Sequence, residues 1–421
     1  MNKPRTIIID IIPHELSRRL AEKRLEELES LVKTFGGLVV VKVIQKKSMR
    51  TYKTFIGKGK LEELTKLATE ENADLLIVNN ILKPGQVYNL EEAFKEYFKE
   101  NKLECELKVW DRVDLILKIF EKHAHTTEAK LQVKLASLRH FGPRIFGLGE
   151  SLMQQVGGIG VRSGQGESNI ELMKRHLRRQ EQSVLEKLKH YDLVKKGHRD
   201  RRKKNDLKTI AIIGYTNAGK SALLNAMTAK KVYSADELFA TLDTTTGKIY
   251  IPGDSSDGVY RPGKQFLLSD TIGFIRDLPP SLIEAFKSTL AETLESDIIL
   301  HVIDLTDPEF ELKIDIVEEI VAELGMSDKK KIYVFNKIDL LDYTDLIPPP
   351  PKDERFQGIL PAGVHTAKLL GWHNYDNPDC PDTKELVSRL SEKYAKFSPV
   401  FVSAEKFLNL DKLLEKIVEK L

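Results

Sequence analysis

The sequence predicts an α/β protein in three parts: an N-terminal α/β domain, a long helical hairpin subdomain and a C-terminal, doubly wound α/β domain. Three observations predict this organisation. Short branched-apolar runs alternate with helical patterns up to about residue 110. Two long stretches of helical periodicity follow, over 112–141 and 170–191. Finally, the apolar run Thr209–Ile213 leads directly into a glycine-rich loop and then a helical pattern.

Length and composition limit the class of protein. A chain of 421 residues has room for two or three domains. Its 41% hydrophobic and 31% charged residues are typical of a globular protein, and no apolar run approaches the ~20 residues of a membrane span. The two cysteines, Cys105 and Cys380, are isolated and have no metal-ligand spacing. We therefore expect a cytoplasmic monomer, with peripheral membrane association left open.

The N-terminal α/β domain is assigned to residues 1–110, the hairpin to 111–205 and the third domain to 206–421. In the first domain, the predicted strands are Thr6–Ile12, Leu38–Ile44, Asp74–Asn79 and Leu103–Val109. The short motif Gly57-Lys58-Gly59-Lys60 is interpreted as a basic turn that opens a helix, because it lacks the spacing and the hydroxyl of a phosphate-binding loop.

A glycine-rich segment separates the two long helical patterns. Gly142–Ser168 contains eight glycines, which predicts a long mobile loop between antiparallel helices. Such a loop would present polar groups suited to RNA backbone and bases. The candidates are Arg144, Gln154, Gln155, Arg162 and Gln165. The alternative is a flexible connector without a binding role.

The basic charge is concentrated after this segment. Residues 170–204 carry 13 Lys and Arg against 5 Asp and Glu, a net +8, whereas the whole chain has a net charge of only +3. The last part, Lys195–Lys204, carries seven of these cations and is predicted to be a linker. The block is either a solvated helix face or a surface for a polyanion such as RNA, with Arg201 and Lys203 as candidate phosphate contacts.

The glycine-rich loop of the third domain, 214–221, reads Gly-Tyr-Thr-Asn-Ala-Gly-Lys-Ser. Because it stands between a strand and a helix, it predicts a P-loop whose backbone N–H groups surround phosphates. Lys220 can reach the β and γ phosphates, and the Ser221 hydroxyl can ligate Mg²⁺. Asn217 either shapes the loop or coordinates K⁺. The loop residues assigned to the nucleotide are Gly214, Tyr215, Thr216, Asn217, Ala218, Gly219, Lys220 and Ser221.

Two later segments are expected to sense the terminal phosphate. The first, 238–243, contains Thr241, the candidate second Mg²⁺ ligand, with Thr245 as the alternative. The second is the Asp-x-x-Gly of 270–273, in which Asp270 would hold a Mg²⁺ water and the Gly273 N–H would bond the γ-phosphate. The residues assigned here are Phe239, Ala240, Thr241, Leu242, Asp243, Asp270, Thr271, Ile272 and Gly273.

The base is predicted from Asn336-Lys337-Ile338-Asp339, which follows an apolar run. The Asp339 carboxylate can accept hydrogen bonds from guanine N1–H and the 2-amino group, neither of which adenine offers. Further along, the backbone at Ser403 and Ala404 can cover the base oxygen. P-loop, Asp-x-x-Gly, Asn-Lys-x-Asp and Ser-Ala in this order therefore predict a GTPase that binds GTP and GDP.

Hydrolysis is expected to be slow without a partner. The position after Gly273, where many GTPases carry a water-orienting glutamine, holds Phe274, so no catalytic residue is assigned. The missing group would come from a partner protein, from ribosomal RNA or from a bound cation.

These motifs, together with Asp111–Phe120 and Lys130–Ala136, resemble the HflX family of GTPases. The resemblance implies the same three-part fold, binding to the large ribosomal subunit with the hairpin loop near the peptidyl-transferase region, splitting of stalled ribosomes, and GTPase activation by the ribosome. The alternative is a GTP-dependent regulatory scaffold acting on a protein or a non-ribosomal RNA.

The sequence departs from the family pattern in three places. After the first phosphate-sensing segment it has Thr244 and Gly247 where a Pro and an Arg are usual in the family. The glycine-rich segment has Ser163-Gly164-Gln165-Gly166 where family members tend to have Gly-Pro-Gly, and an atypical insert occupies 346–382. Proline runs in the insert favour extended structure, and its aromatic residues suggest packing on the third domain.

Overall fold

The structure is a computed structural model. It describes residues 3–47, 53–103, 106–156, 164–228, 238–239, 245–251, 263–271, 273–286, 292–341 and 383–421, of which 143–156, 164–170, 280, 281, 283, 383 and 384 are described as backbone only. The chain divides into two compact units. Unit 1 comprises Met1–Tyr191 and Pro279–Ala285, and unit 2 comprises Asp192–Leu278 and Phe286–Leu421.

Unit 1 begins with a parallel four-stranded sheet in the order β2-β1-β3-β4. Its strands are β1 (Arg5–Ile12), β2 (Leu38–Lys46), β3 (Leu75–Val78) and β4 (Lys108–Asp111). Its helices are α1 (Arg18–Phe35), α2 (Lys58–Glu70), α3 (Pro84–Glu100) and α4 (Arg112–His123). Every second residue of β1, starting at Ile7, packs with apolar side chains of α2 and α3, as the period-two pattern of a strand requires. The predicted alternation of strands and helices is confirmed here, but the bounds of the fourth predicted strand, Leu103–Val109, are wrong: β4 begins only at Lys108.

The two long helices are α5 (Thr127–Val156) and α6 (Gly164–Lys204). The first predicted long helix, over 112–141, is wrong as one element, because α4 ends at His123 and α5 begins at Thr127. The predicted loop over Gly142–Ser168 is therefore wrong for 142–156 and 164–168, which are helical; only 157–163 lie outside the described residues. The physical reason is that a glycine inside a helix costs only about 1 kcal/mol, and residues 142–156 also include strong helix formers. The number of glycines therefore predicted a loop for residues that are helical in the structure.

The predicted linker Lys195–Lys204 is also wrong, because α6 continues to Lys204. Lys and Arg favour helices, and cations near a helix C-terminus interact favourably with the helix dipole. Gly197 interrupts this run without breaking the helix. The basic block is thus a helical surface rather than a flexible connection.

A short helix, α8 (Pro280–Ala285), belongs to unit 1 and packs against α5. Arg139 of α5 connects it to α6. The Arg139 guanidinium contacts Glu181 through Nε at 2.8 Å and Glu284 through Nη1 at 3.1 Å. Helix α8 is therefore held against α5 within unit 1.

Unit 2 contains a six-stranded sheet in the order β10-β9-β8-β5-β7-β6, in which only the β6–β7 pair is antiparallel. The strands are β5 (Lys208–Gly214), β6 (Thr245–Ile251), β7 (Lys264–Asp270), β8 (Ile298–Asp304), β9 (Lys330–Asn336) and β10 (Val400–Phe401). The helices are α7 (Lys220–Met227), α9 (Phe310–Glu323), α10 (Thr383–Lys393) and α11 (Leu410–Lys420). This is the predicted doubly wound architecture.

Both faces of this sheet are covered by helices. Helices α7 and α11 pack with the β5 side chains Ile210 and Ile212, whereas α9 and α10 pack with Tyr333 and Phe335 of β9. Buried parallel strands of this kind need continuous apolar sequences, which the chain supplies. Their carboxyl ends meet at one edge, where ligands bind in open α/β sheets. Within the described part of the chain, no helix is long and apolar enough to cross a membrane.

Candidate nucleotide-binding site

The P-loop connects the carboxyl end of β5 to the first turn of α7. Its two glycines are required by space as well as by conformation. Gly214 has φ 153°, and a Cβ there would lie 2.2 Å from the carbonyl oxygen of Val302. Gly219 has φ 87° and caps α7 without a side-chain hydrogen bond. The helix N-terminus therefore presents backbone N–H groups toward the position of a phosphate.

Lys220 is buried beneath this loop, and its Nζ donates to the carbonyl of Tyr215 at 2.7 Å. Burial is the main cause that lowers the pKa of Lys220 to about 8; the negative charge of Asp270 opposes this shift, and the positive charge of Lys337 adds a smaller lowering. A phosphate would supply the negative charge that this buried ammonium needs. The side chain is suited to the β and γ oxygens.

Ser221 and Asp270 lie together at the ends of neighbouring elements. The Ser221 Oγ donates to Asp270 Oδ2 at 2.6 Å, and both residues are buried. Strand β7, which ends at Asp270, is parallel to and paired with β5, so the two motifs meet at one sheet edge. A hydroxyl and a carboxylate oxygen are the ligands that Mg²⁺ prefers. These residues fit a magnesium site, directly or through a water.

Phe274 occupies the position after Gly273 and is 2% exposed. Its N–H donates to Gly214 O at 3.1 Å, and its carbonyl accepts from Thr216 N–H at 2.8 Å. Phe274 is thus a packing residue paired with the P-loop backbone. The residue cannot orient a water by hydrogen bonding from its side chain.

The Asn336 amide connects three of the motifs. Its Nδ2 donates to Ala218 O at 2.9 Å, and its Oδ1 accepts from Ala404 N–H at 3.0 Å. This buried amide therefore holds the loops predicted to recognise the base against the P-loop. It was predicted as a nucleotide contact, and the structure adds this bridging role.

The remaining residues of the base-recognition loops lie beside Asn336. Lys337 has φ 65°, and its Nζ pairs with Asp304 Oδ2 at 2.7 Å. Asp339 lies in a turn of 3₁₀ helix, Ile338–Leu340, and is 9% exposed. The Ser403 hydroxyl accepts from Lys406 N–H at 3.0 Å and shapes the turn before α11. Asp304 was missed from the sequence; its position after an apolar run at the same sheet edge was the available signal.

The first segment predicted to sense the terminal phosphate, 238–243, is described only at 238 and 239. Phe239 is buried, whereas Ala240, Thr241, Leu242 and Asp243 lie outside the described residues, as does Ile272 of the second segment. Thr245 starts β6, where it pairs with Asp270. Thr271 is buried, and its hydroxyl donates to Ile212 O at 2.7 Å, so its side chain serves the strand rather than a ligand.

The candidate RNA contacts are placed only in part. Arg144, Gln154 and Gln155 lie on α5 and Gln165 on α6, but only their backbones are described; Arg162 lies outside the described residues. Arg201 is exposed on α6. The Lys203 Nζ pairs with Glu295 Oε2 at 2.9 Å, and Arg199, which the sequence did not single out, pairs with the other oxygen of Glu295 at 2.9 Å. Part of the basic charge is thus balanced within unit 2.

A doubly wound sheet with a P-loop, a buried Ser–Asp pair and an Asn-Lys-x-Asp loop at one edge defines a P-loop GTPase. Protein-family profiles agree along the chain. The profile described as "GTP-binding GTPase N-terminal" matches residues 22–121, "GTP-binding GTPase Middle Region" matches 123–202, and "50S ribosome-binding GTPase" matches 209–337.

Curated relatives identify the family. The chain is 44% identical over 341 residues to "GTPase HflX" of Caldanaerobacter subterraneus subsp. tengcongensis, covering 81% of this chain and 74% of the relative. It is 44% identical to that of Lacrimispora saccharolytica, covering 76% and 71%. It is 34% identical to that of Methanocaldococcus jannaschii, covering 95% and 83%. The chain belongs to the HflX family of GTPases, as the sequence motifs indicated.

Proposed function

We propose that this GTPase binds the large ribosomal subunit in its GTP-bound state, splits or rescues stalled ribosomes and leaves after hydrolysis. The observation that supports this most directly is the match of its third domain to the profile described as "50S ribosome-binding GTPase". The exposed basic surface of α6 supports it further. Arg175, Arg178 and Arg179 are exposed there on one stretch of helix, where a phosphate backbone could reach them.

The deciding experiment measures GTP hydrolysis with and without purified large subunits, in KCl, together with co-sedimentation. We expect stimulation and GTP-dependent co-sedimentation. An unchanged rate and no co-sedimentation would favour the alternative, a GTP-dependent scaffold acting on a protein or a non-ribosomal RNA. This experiment separates the two functions, whereas the glycine-rich and basic segments would serve either of them.

The basic surface can be tested separately. The triple variant Arg175→Gln, Arg178→Gln, Arg179→Gln should weaken subunit binding and reduce the slope of log affinity against log salt by up to about 3, because each lost phosphate contact removes about one released counterion. The matched control, Lys66→Gln, Lys99→Gln, Lys412→Gln, removes the same charge from exposed positions elsewhere. Equal effects of both triples would show that only net charge matters.

The cofactor assignment follows from the donor set. We propose that Mg²⁺ is held by Ser221 and Thr241, with Asp270 acting through a water. When bound, the ion would neutralise phosphate charge, while Lys220 and the loop N–H groups hold the phosphate oxygens. Asn217, which has φ 63° in the loop, is the candidate K⁺ ligand. Equal hydrolysis rates in NaCl and KCl for the parent protein would remove the K⁺ proposal, and loss of a KCl advantage in Asn217→Ala would support it.

A further inference from the structure

The side chain of Tyr215 reaches from the P-loop to the phosphate-sensing segment. Tyr215 is 5% exposed, and its hydroxyl accepts a hydrogen bond from the backbone N–H of Arg276 at 2.8 Å. Arg276 is three residues beyond Gly273. The ring is held in place from outside by Lys313, whose Nζ lies 4.6 Å from its centroid. The P-loop residue Tyr215 is thus hydrogen-bonded to the backbone that follows Asp-x-x-Gly.

This hydrogen bond extends a backbone connection between the same two segments. Tyr215 and Phe274 form a parallel β-bridge, flanked by the hydrogen bonds of Phe274 N–H to Gly214 O and of Thr216 N–H to Phe274 O. The hydroxyl of Tyr215 adds a third connection, two residues further along. Together they fix the path of the chain from residue 273 to residue 276 against the P-loop.

These connections restrict the position of Gly273, which lies next to Lys220. A Cβ at Gly273 would lie 2.9 Å from Lys220 Nζ and 2.9 Å from Thr216 Cγ2, so the chain at Gly273 passes too close to this lysine to carry a side chain. Only a triphosphate needs the Gly273 N–H, because the diphosphate has no γ oxygen to accept from it. The contacts that hold residues 274–276 therefore affect the position of the Gly273 N–H, and with it the affinity for the triphosphate.

We infer that Tyr215 is a positioning residue for GTP hydrolysis. Its hydroxyl holds the backbone at Arg276 and thereby sets the Gly273 N–H for the γ-phosphate, so that it favours the triphosphate over the diphosphate without contacting either. Because the side chain of Phe274 has no hydrogen-bonding group, the positioning comes from backbone hydrogen bonds and from the Tyr215 hydroxyl. The inference concerns the protein and its nucleotide alone and does not depend on the ribosome proposal.

The test is Tyr215→Phe, which removes one oxygen and keeps the ring beneath Lys313. We expect the Kd for a non-hydrolysable GTP analogue to rise about fivefold and kcat to fall by a similar factor, the loss expected for one hydrogen bond, while the Kd for GDP changes less than about twofold. Amide hydrogen exchange of a peptide spanning 273–278 should be faster in the variant with the analogue bound.

Tyr333→Phe is the matched control. It removes another buried tyrosine hydroxyl of unit 2, one that donates to Glu318 Oε1 at 2.9 Å on the α9 side of the sheet. It should lower the melting temperature without changing the ratio of analogue to GDP affinity. If Tyr215→Phe weakens both nucleotides equally, or changes neither affinity nor kcat, Tyr215 is only a packing residue and the inference is wrong.

Discussion

The Asn336 side-chain amide lies directly against Gly219: a Cβ added to Gly219 would be 2.2 Å from Asn336 Nδ2. The same amide hydrogen-bonds to Ala218 and Ala404, so it cannot move away without losing both. The loop proposed to bind phosphate and the loops proposed to recognise the base therefore share one tightly packed contact. A change on either side of it should affect both.

This contact predicts a strong effect of Gly219→Ala. The variant carries the cost of a residue at φ 87° and a clash with Asn336, so we expect destabilisation of about 2–4 kcal/mol and weak binding of both GDP and GTP. The control is Gly325→Ala. Gly325 also has a positive φ, 72°, but no atom of the described residues beyond its chain neighbours lies within 4 Å of a Cβ added there, so this substitution should lower the unfolding free energy by only about 1 kcal/mol. Urea unfolding and nucleotide titration would measure both. Similar losses for the two variants would contradict the contact.

Base selectivity should reside in Asp339. In Asp339→Asn the amide cannot accept two hydrogen bonds from guanine, so GTP affinity should fall about 10²- to 10⁴-fold. Xanthine offers an N1–H donor and a 2-oxo acceptor, which match an amide, and XTP should therefore bind the variant more tightly than GTP does. Competition between the two nucleotides measures this directly. Asp328→Asn, an exposed change in the same unit, should leave the preference for GTP intact.

The magnesium assignment predicts a particular pattern for Ser221→Ala. Loss of the hydroxyl should abolish most of the Mg²⁺-dependent gain in affinity for a GTP analogue, by about tenfold or more, while affinity measured in EDTA stays nearly unchanged. Ser269→Ala, a buried serine one residue before Asp270, is the control. The assignment fails if Ser221→Ala binds the analogue with the parent's full response to Mg²⁺.

The strand-end motifs could be predicted from sequence because each depends only on neighbouring residues. An apolar run predicts the strand, and the residues after it lie at the sheet edge. Lys220, Asp270 and Asn336 all lie where that argument placed them. The contact between Tyr215 and Arg276 could not be found in this way. It joins residues 61 apart and depends on how two loops pack.

In the two long helices, by contrast, prediction from the sequence was wrong in part. Glycines near Gly142 and Gly164 pointed to a loop, yet both positions are helical, since a long helix tolerates a weak residue when its neighbours favour helix. The ion pair between Arg199 and Glu295 likewise depends on tertiary packing, so the free charge of α6 could not be counted from sequence. In this part of the chain, local signals therefore misassigned several helical residues and did not show which charges pair.

His140 of α5 should make the stability of the first unit depend on pH. Its Nε2 lies 2.9 Å from Asp114 Oδ1 and 3.6 Å from Asp111 Oδ1, both buried at the start of α4. Burial is the largest influence and lowers the pKa of His140, but the hydrogen bonds and charges of the two carboxylates together outweigh it and raise that pKa above 6.5. The folded state therefore holds the proton more tightly than the unfolded chain does.

The sign follows from this linkage. The stabilisation by protonated His140 is fully present below the unfolded pKa of about 6.5 and is lost as the pH rises through the higher folded pKa. The parent should exceed His140→Asn in unfolding free energy by about 2 kcal/mol at pH 6, and by clearly less at pH 9. Urea titrations across this range measure the difference, with exposed His125→Asn as the control. A gap that widens with pH would mean that the histidine is bound neutral, and the carboxylates could not then be its charge partners.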